Sequence, residues 1–87
     1  MNHTERIAEV ARQHRQLTRR LVKESVESYL ELLAEEIAAG KWSEIHGIGK
    51  LQVTIEDGSG AEDLSKYPRL RTRIRLGEQF KAKCYKR

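Results

Sequence analysis

"LTRRLVKESVESYLELLAEEIAAGKWSEIHGIGKLQV", residues 17–53, changes its hydrophobic period once, at Gly40. Before that glycine the apolar residues recur at helical spacing. At 100° per residue, Leu21, Val22, Val26, Tyr29, Leu30, Leu32, Leu33 and Ile37 cover about half of a helix circumference. Ser25 and Glu36 are the only polar interruptions. Thr18 is a good N-cap, Leu17 can staple onto Val22, and Gly40 suits the left-handed residue that closes a helix. The spacing therefore predicts a helix ending near Ala39. After Gly40, "WSEIHGIGKLQVTI" reads as two short strands around a Gly47-Ile48-Gly49 turn. Glycine tolerates the positive φ that such a reversal requires.

An apolar arc this wide needs cover on two sides, because a surface helix buries a narrower stripe. The segment before it offers one short helix, from about residue 3 to 14. Asn2 and Glu5 have capping-box spacing there, and Ile7, Ala8, Val10, Ala11 and His14 follow at helical intervals. That helix is too short to cover both sides. An obligate dimer is expected, with Val22, Val26, Tyr29, Leu30, Leu33, Ile37 and Trp42 in its interface. Trp42, just past the helix stop, reads as core or interface.

The other end of the chain poses an electrostatic question. The net charge is +4 over 87 residues, but residues 66–87 hold nine Lys/Arg against one acidic residue, Glu78. A concentrated basic block attracts polyanions more than the same charge spread evenly. Within it, "YPRLRTRIRLGEQFK", residues 67–81, places Arg69, Arg71, Arg73 and Arg75 at every second position. In a strand these form one row, spaced about 6.5–7 Å apart, comparable with successive phosphates along a DNA strand. Arginine's planar fork can donate two hydrogen bonds to one phosphate. The opposite row, Leu70, Ile74 and Leu76, can pack on the body or on a partner strand. Two blander roles compete. Arginines can protect an edge strand, or they can pair with Glu56, Asp57, Glu62 and Asp63. Residues 57–65, "DGSGAEDLS", are turn-rich, acidic and expected to be mobile.

Aromatic residues make up 6% of the chain. Tyr67 and Tyr85 could stack on unpaired bases, but this sparseness ranks single-strand and RNA binding below duplex binding. His3, His14, His46 and Cys84 lack zinc-ligand spacing, and residues 57–63 lack the oxygen set of a calcium loop. Gly47-Ile48-Gly49 lies between strands, so it is no phosphate-binding fingerprint. Cys84 has lysines at 81, 83 and 86 nearby but reads as a small, half-buried residue. No catalytic constellation stands out. No enzyme activity, metal, cofactor or small-molecule substrate is expected. One cysteine points to a reducing compartment. The polar N-terminus lacks a secretory signal, and no apolar run is long enough for a membrane span. A cytoplasmic location with no membrane partner is the expectation.

From Leu17 to Val53 the chain resembles the bacterial HU and integration host factor proteins, the histone-like family. Their signature Gly-Phe-Gly-x-Phe-x-Val stands here as Gly47-Ile48-Gly49-Lys50-Leu51-Gln52-Val53, with aliphatic residues in both aromatic places. Their Phe-Lys-Pro-Gly-Lys-x-Leu-Lys segment is similar to Ile74-Arg75-Leu76-Gly77-Glu78-Gln79-Phe80-Lys81. The opening "MNHTERIAEVA" also looks like the family's first helix. The resemblance covers roughly residues 1–56 and 70–84.

It implies an α+β fold in one domain over residues 1–87: a helical dimerisation part (1–40), a sheet with a short β-arm (41–76), and a C-terminal helix with a basic tail (77–87). It implies an intertwined dimer, either a homodimer or a heterodimer with a paralogue. The implied function is architectural: largely non-sequence-specific double-stranded DNA binding in the bacterial nucleoid, and DNA condensation. By position, Arg75 and Lys81 match family basic residues, and Gly77 opens a helix whose N–H groups can face a phosphate. With Lys66, Lys83 and the arginine row, these make up the expected DNA-contacting set. The arm is shorter than is usual for the family, and the Arg-Asn-Pro-x-Thr-Gly tip motif is absent. The single proline is Pro68. Glu78 replaces a lysine, and "TIEDG" is acidic where the family is basic. Little or no kinking of DNA is therefore expected. The alternative is a dimerisation or assembly module that binds a protein partner and has weak or lost DNA binding.

Overall fold

A computed structural model of the chain describes residues 1–56 and 69–87. Its elements are α1 (His3–Gln13), α2 (Arg19–Ala38), β1 (Ser43–Ile45), β2 (Gly49–Glu56), β3 (Arg69–Leu76) and α3 (Glu78–Tyr85). The class is α+β, as expected. The chain divides into two compact units, Met1–Leu33 and Ala34–Arg87, with the division falling inside α2.

In the first unit, Asn2 holds extended backbone, and its side-chain oxygen accepts from the Glu5 N–H at 2.8 Å. This bond gives one of the orphan donors at the helix start a partner. α1 stops at Gln13, one residue short of the expected end. The His14 N–H turns back to the Val10 and Ala11 carbonyls as a cap. Thr18 starts α2 as expected, with its hydroxyl oxygen accepting from the Leu21 N–H at 3.0 Å. Leu17, the expected staple, stays exposed. Ile7 and Val22 are buried, each 4% exposed. The His3 ring nitrogen lies 3.0 Å from a Glu27 carboxylate oxygen and links α1 to α2.

The second unit opens at the end of α2. Gly40 has φ +81°, and its N–H donates to the Ile37 carbonyl at 3.0 Å, the expected left-handed stop. Ser43 is fully buried, and its hydroxyl donates to the Lys41 carbonyl at 3.4 Å. The sheet order is β1-β2-β3, antiparallel throughout. The turn between β1 and β2 is closed by the Ile48 N–H on the Ile45 carbonyl at 2.9 Å, with Gly47 at φ +78°. β2 and β3 pair along their full length, from Gly49↔Leu76 to Glu56↔Arg69. Gly77 ends the ladder by donating to the Ile48 carbonyl at 2.9 Å, and α3 follows at once. The expected acidic turn (57–65), Lys66, Tyr67 and Pro68 lie outside the described residues.

Candidate nucleic-acid interface

The β2–β3 register sorts the sheet into two chemically different faces. Side chains alternate along a strand, and directly paired residues share a face. One face carries Lys50↔Arg75, Gln52↔Arg73, Thr54↔Arg71 and Glu56↔Arg69. Glu44, opposite Lys50, extends that row onto β1. The other face carries Leu51↔Ile74, Val53↔Thr72 and Ile55↔Leu70. The alternation in sequence thus becomes a real division of the sheet.

All four arginines of β3 are exposed. Among the described residues, the ion pairs are His3–Glu27, Arg12–Glu9, Arg20–Glu24 and Lys81–Glu78, and none uses the arginine row. Glu56 faces Arg69 directly, yet no ion pair within 4 Å joins them. Asp57, Glu62 and Asp63 lie outside the described residues.

Arg75 differs from the pattern read in the sequence. Its guanidinium carbon lies 5.3 Å from the centre of the Trp42 ring, within cation–π range. On the same face, the Gln52 amide donates to the Gly40 carbonyl at 3.0 Å. Neither contact has a signal in local spacing, because each joins residues more than ten positions apart.

α3 brings Gly77, Lys81 and Lys83 next in line. Gly77 is the N-cap and lacks a side chain to cap with, but its own N–H already bonds to Ile48. The Lys81 ammonium lies 3.6 Å from Glu78, so part of its charge is met within the helix. Lys83 is exposed, and Phe80 and Cys84 are half-buried. Among the expected interface residues, Val22 is buried, and Val26, Leu33 and Ile37 are half-buried. Tyr29, Leu30 and Trp42 are exposed. On the apolar face of the sheet, Ile55 and Leu70 are each 68% exposed.

Glu9 and Arg12 form an exposed pair on α1. The Arg12 guanidinium, hydrogen-bonded to Glu9, draws that carboxyl below its usual range, and Glu9 raises Arg12 in return. Among the described residues no group of three His, Cys, Asp or Glu could hold a metal ion, and no helix is long and apolar enough to cross a membrane.

Comparison with known proteins gives these features a family. An Anabaena HU–DNA cocrystal structure matches with a TM-score of 0.71 at 18% identity, over 97% of this chain and 97% of that one. At that identity the likeness speaks for the fold, and it is the fold the sequence resemblance implied. No curated protein matches the chain. The family model described as bacterial DNA-binding protein matches residues 1–66, which is most of the chain, so the chain belongs to the bacterial DNA-binding protein family, of the HU and integration host factor type.

Proposed function

We propose that two copies of this chain form a dimer that holds double-stranded DNA by its phosphate backbone, with little reading of base sequence. In this reading the whole chain acts as one domain of a nucleoid-associated protein that condenses DNA in the bacterial cytoplasm, and its role is binding rather than catalysis. The observation that carries the DNA part is the exposed arginine row on β3, which meets no carboxylate among the described residues. Family membership and the HU–DNA cocrystal neighbour support the same reading.

The dimer part rests on exposed apolar surface. Ile7 and Val22 are the buried hydrophobic side chains among the described residues, while Leu21, Tyr29, Leu30, Leu32, Ile55, Leu70 and Ile74 remain exposed. A second chain covering the helical arc and the open sheet face would take that apolar surface out of water. A homodimer needs nothing further, and a paralogue with the same faces would serve equally.

A salt series with duplexes of unrelated sequence tests this reading. If a dimer neutralises about six phosphates, log K falls by roughly five per decade of salt, alike for each duplex. A flat slope, or affinity confined to one sequence, would refute it. A second reading has Glu44 and Glu56 on the arginine face in its favour, since both dilute the positive field. Under it the dimer binds a protein partner and leaves duplex DNA unbound near physiological salt.

A further inference from the structure

Trp42 is the chain's one tryptophan, and it stands immediately before β1. By strand alternation it shares Glu44's side of the sheet, the side of the arginine row. Arg75 is on β3, with β2 in between. Two inter-strand spacings, about 9.5 Å, separate β1 from β3. Glu44, not Trp42, is in line with Lys50 and Arg75, so Trp42 and Arg75 approach on a diagonal. An arginine and a tryptophan side chain can bridge that gap only by meeting over the middle strand. Their contact at 5.3 Å shows that they do. A physical reason lies in the register. Arg75 is directly opposite Lys50, and like charges in that position repel. Leaning over the negative face of the Trp42 ring relieves the repulsion and gains a cation–π contact.

We infer that Trp42 is a positioning residue for phosphate binding, acting through Arg75. A guanidinium carries five N–H donors, so one contact with a ring leaves donors for a phosphate. A group already held loses less rotamer freedom when it binds. Arg69, Arg71 and Arg73 are exposed without such a platform among the described residues. The end of the row nearest the β1–β2 turn is therefore its preordered end. This inference rests on the nucleic-acid reading above and assigns one residue within it.

The test uses the intact protein and a salt series on one duplex, with Trp42→Leu, Trp42→Phe, Arg75→Gln and the Trp42→Leu/Arg75→Gln pair. Trp42→Leu weakens duplex binding about two- to five-fold per chain, the range an exposed cation–π contact carries. Trp42→Phe, which keeps a ring, restores most of that loss. In the Arg75→Gln background, Trp42→Leu has no further effect. The tryptophan emission of the free protein changes on Arg75→Gln and stays put on Arg71→Gln. Full additivity of the two substitutions overturns the inference, as does emission that follows protein concentration but ignores Arg75, which would place the ring in the dimer interface. A flat wild-type salt slope rejects the nucleic-acid reading itself. A steep wild-type slope with additive variants rejects only the role of Trp42.

Discussion

Gly49 faces Leu76 at the first rung of the β2–β3 ladder, and a Cβ on Gly49 would run into the Arg75 carbonyl oxygen. The atoms it would meet are backbone, so no side chain can swing aside. The backbones of β2 and β3 therefore approach closely where the ladder meets α3. Gly49→Ala should cost about 2–3 kcal/mol through overpacking and strain. Thermal unfolding checks this against Gly47→Ala, which meets nothing within 4 Å and bears only the strain of φ +78°. Equal midpoints for the two variants would remove the close approach as a cause.

A dimer built on the α2 arc makes stability depend on protein concentration. Melting midpoints should rise as concentration rises, and sedimentation should find two chains at micromolar levels. Leu30 is exposed in the single chain, so Leu30→Glu would cost an isolated chain little. In the proposed dimer it would bury an unpaired charge, and loss of assembly together with unfolding is expected. A folded, concentration-independent monomer would remove the proposed partner chain.

The Glu9–Arg12 pair predicts an acid effect of known sign. Glu9 titrates below its ordinary value of 4.5 because Arg12 donates to its carboxylate. The pair's contribution is therefore complete above pH 4.5 and is lost as pH falls through the lowered value. Both groups are in solvent, so Glu9→Gln should leave the neutral-pH midpoint unmoved within error and flatten the acid limb slightly. A clear loss of stability at neutral pH would contradict that ranking.

The helices and the turn are legible in the sequence because their signals are local. Asn2, Thr18 and Gly40 mark helix ends by chemistry that acts within four residues, and all three do so in the structure. Strand alternation likewise separates the two faces of β3. Arg75, by contrast, reads in the sequence as one more member of an even row. Its neighbours are Lys50 across one strand and the Trp42 ring at 5.3 Å, and neither relation is visible until the register is known. The same holds for Gly49, where the sequence offers a turn glycine and the structure adds a backbone collision. Glu78 reads in the sequence as standing where the family has a lysine, but on α3 it is also an i,i+3 partner that meets part of the Lys81 charge.

The missing arm-tip motif predicts little bending of DNA. The family's arm-tip prolines prise base steps apart to kink a duplex, and the tip motif that carries them is absent from this sequence. Fluorescence transfer between the ends of a short duplex should change little when the protein binds. A large shortening would contradict this.

In the proposed function, exposed guanidinium groups on β3 meet DNA phosphates irrespective of sequence. The most direct test of this claim is the salt dependence of duplex binding for Arg71→Glu/Arg73→Glu beside the wild type, with dimer state checked in parallel. Removing about four phosphate-neutralising arginines per dimer should flatten the slope of log K against log salt by roughly three to four and weaken unrelated duplexes alike. An unchanged slope in a folded dimer would contradict the claim.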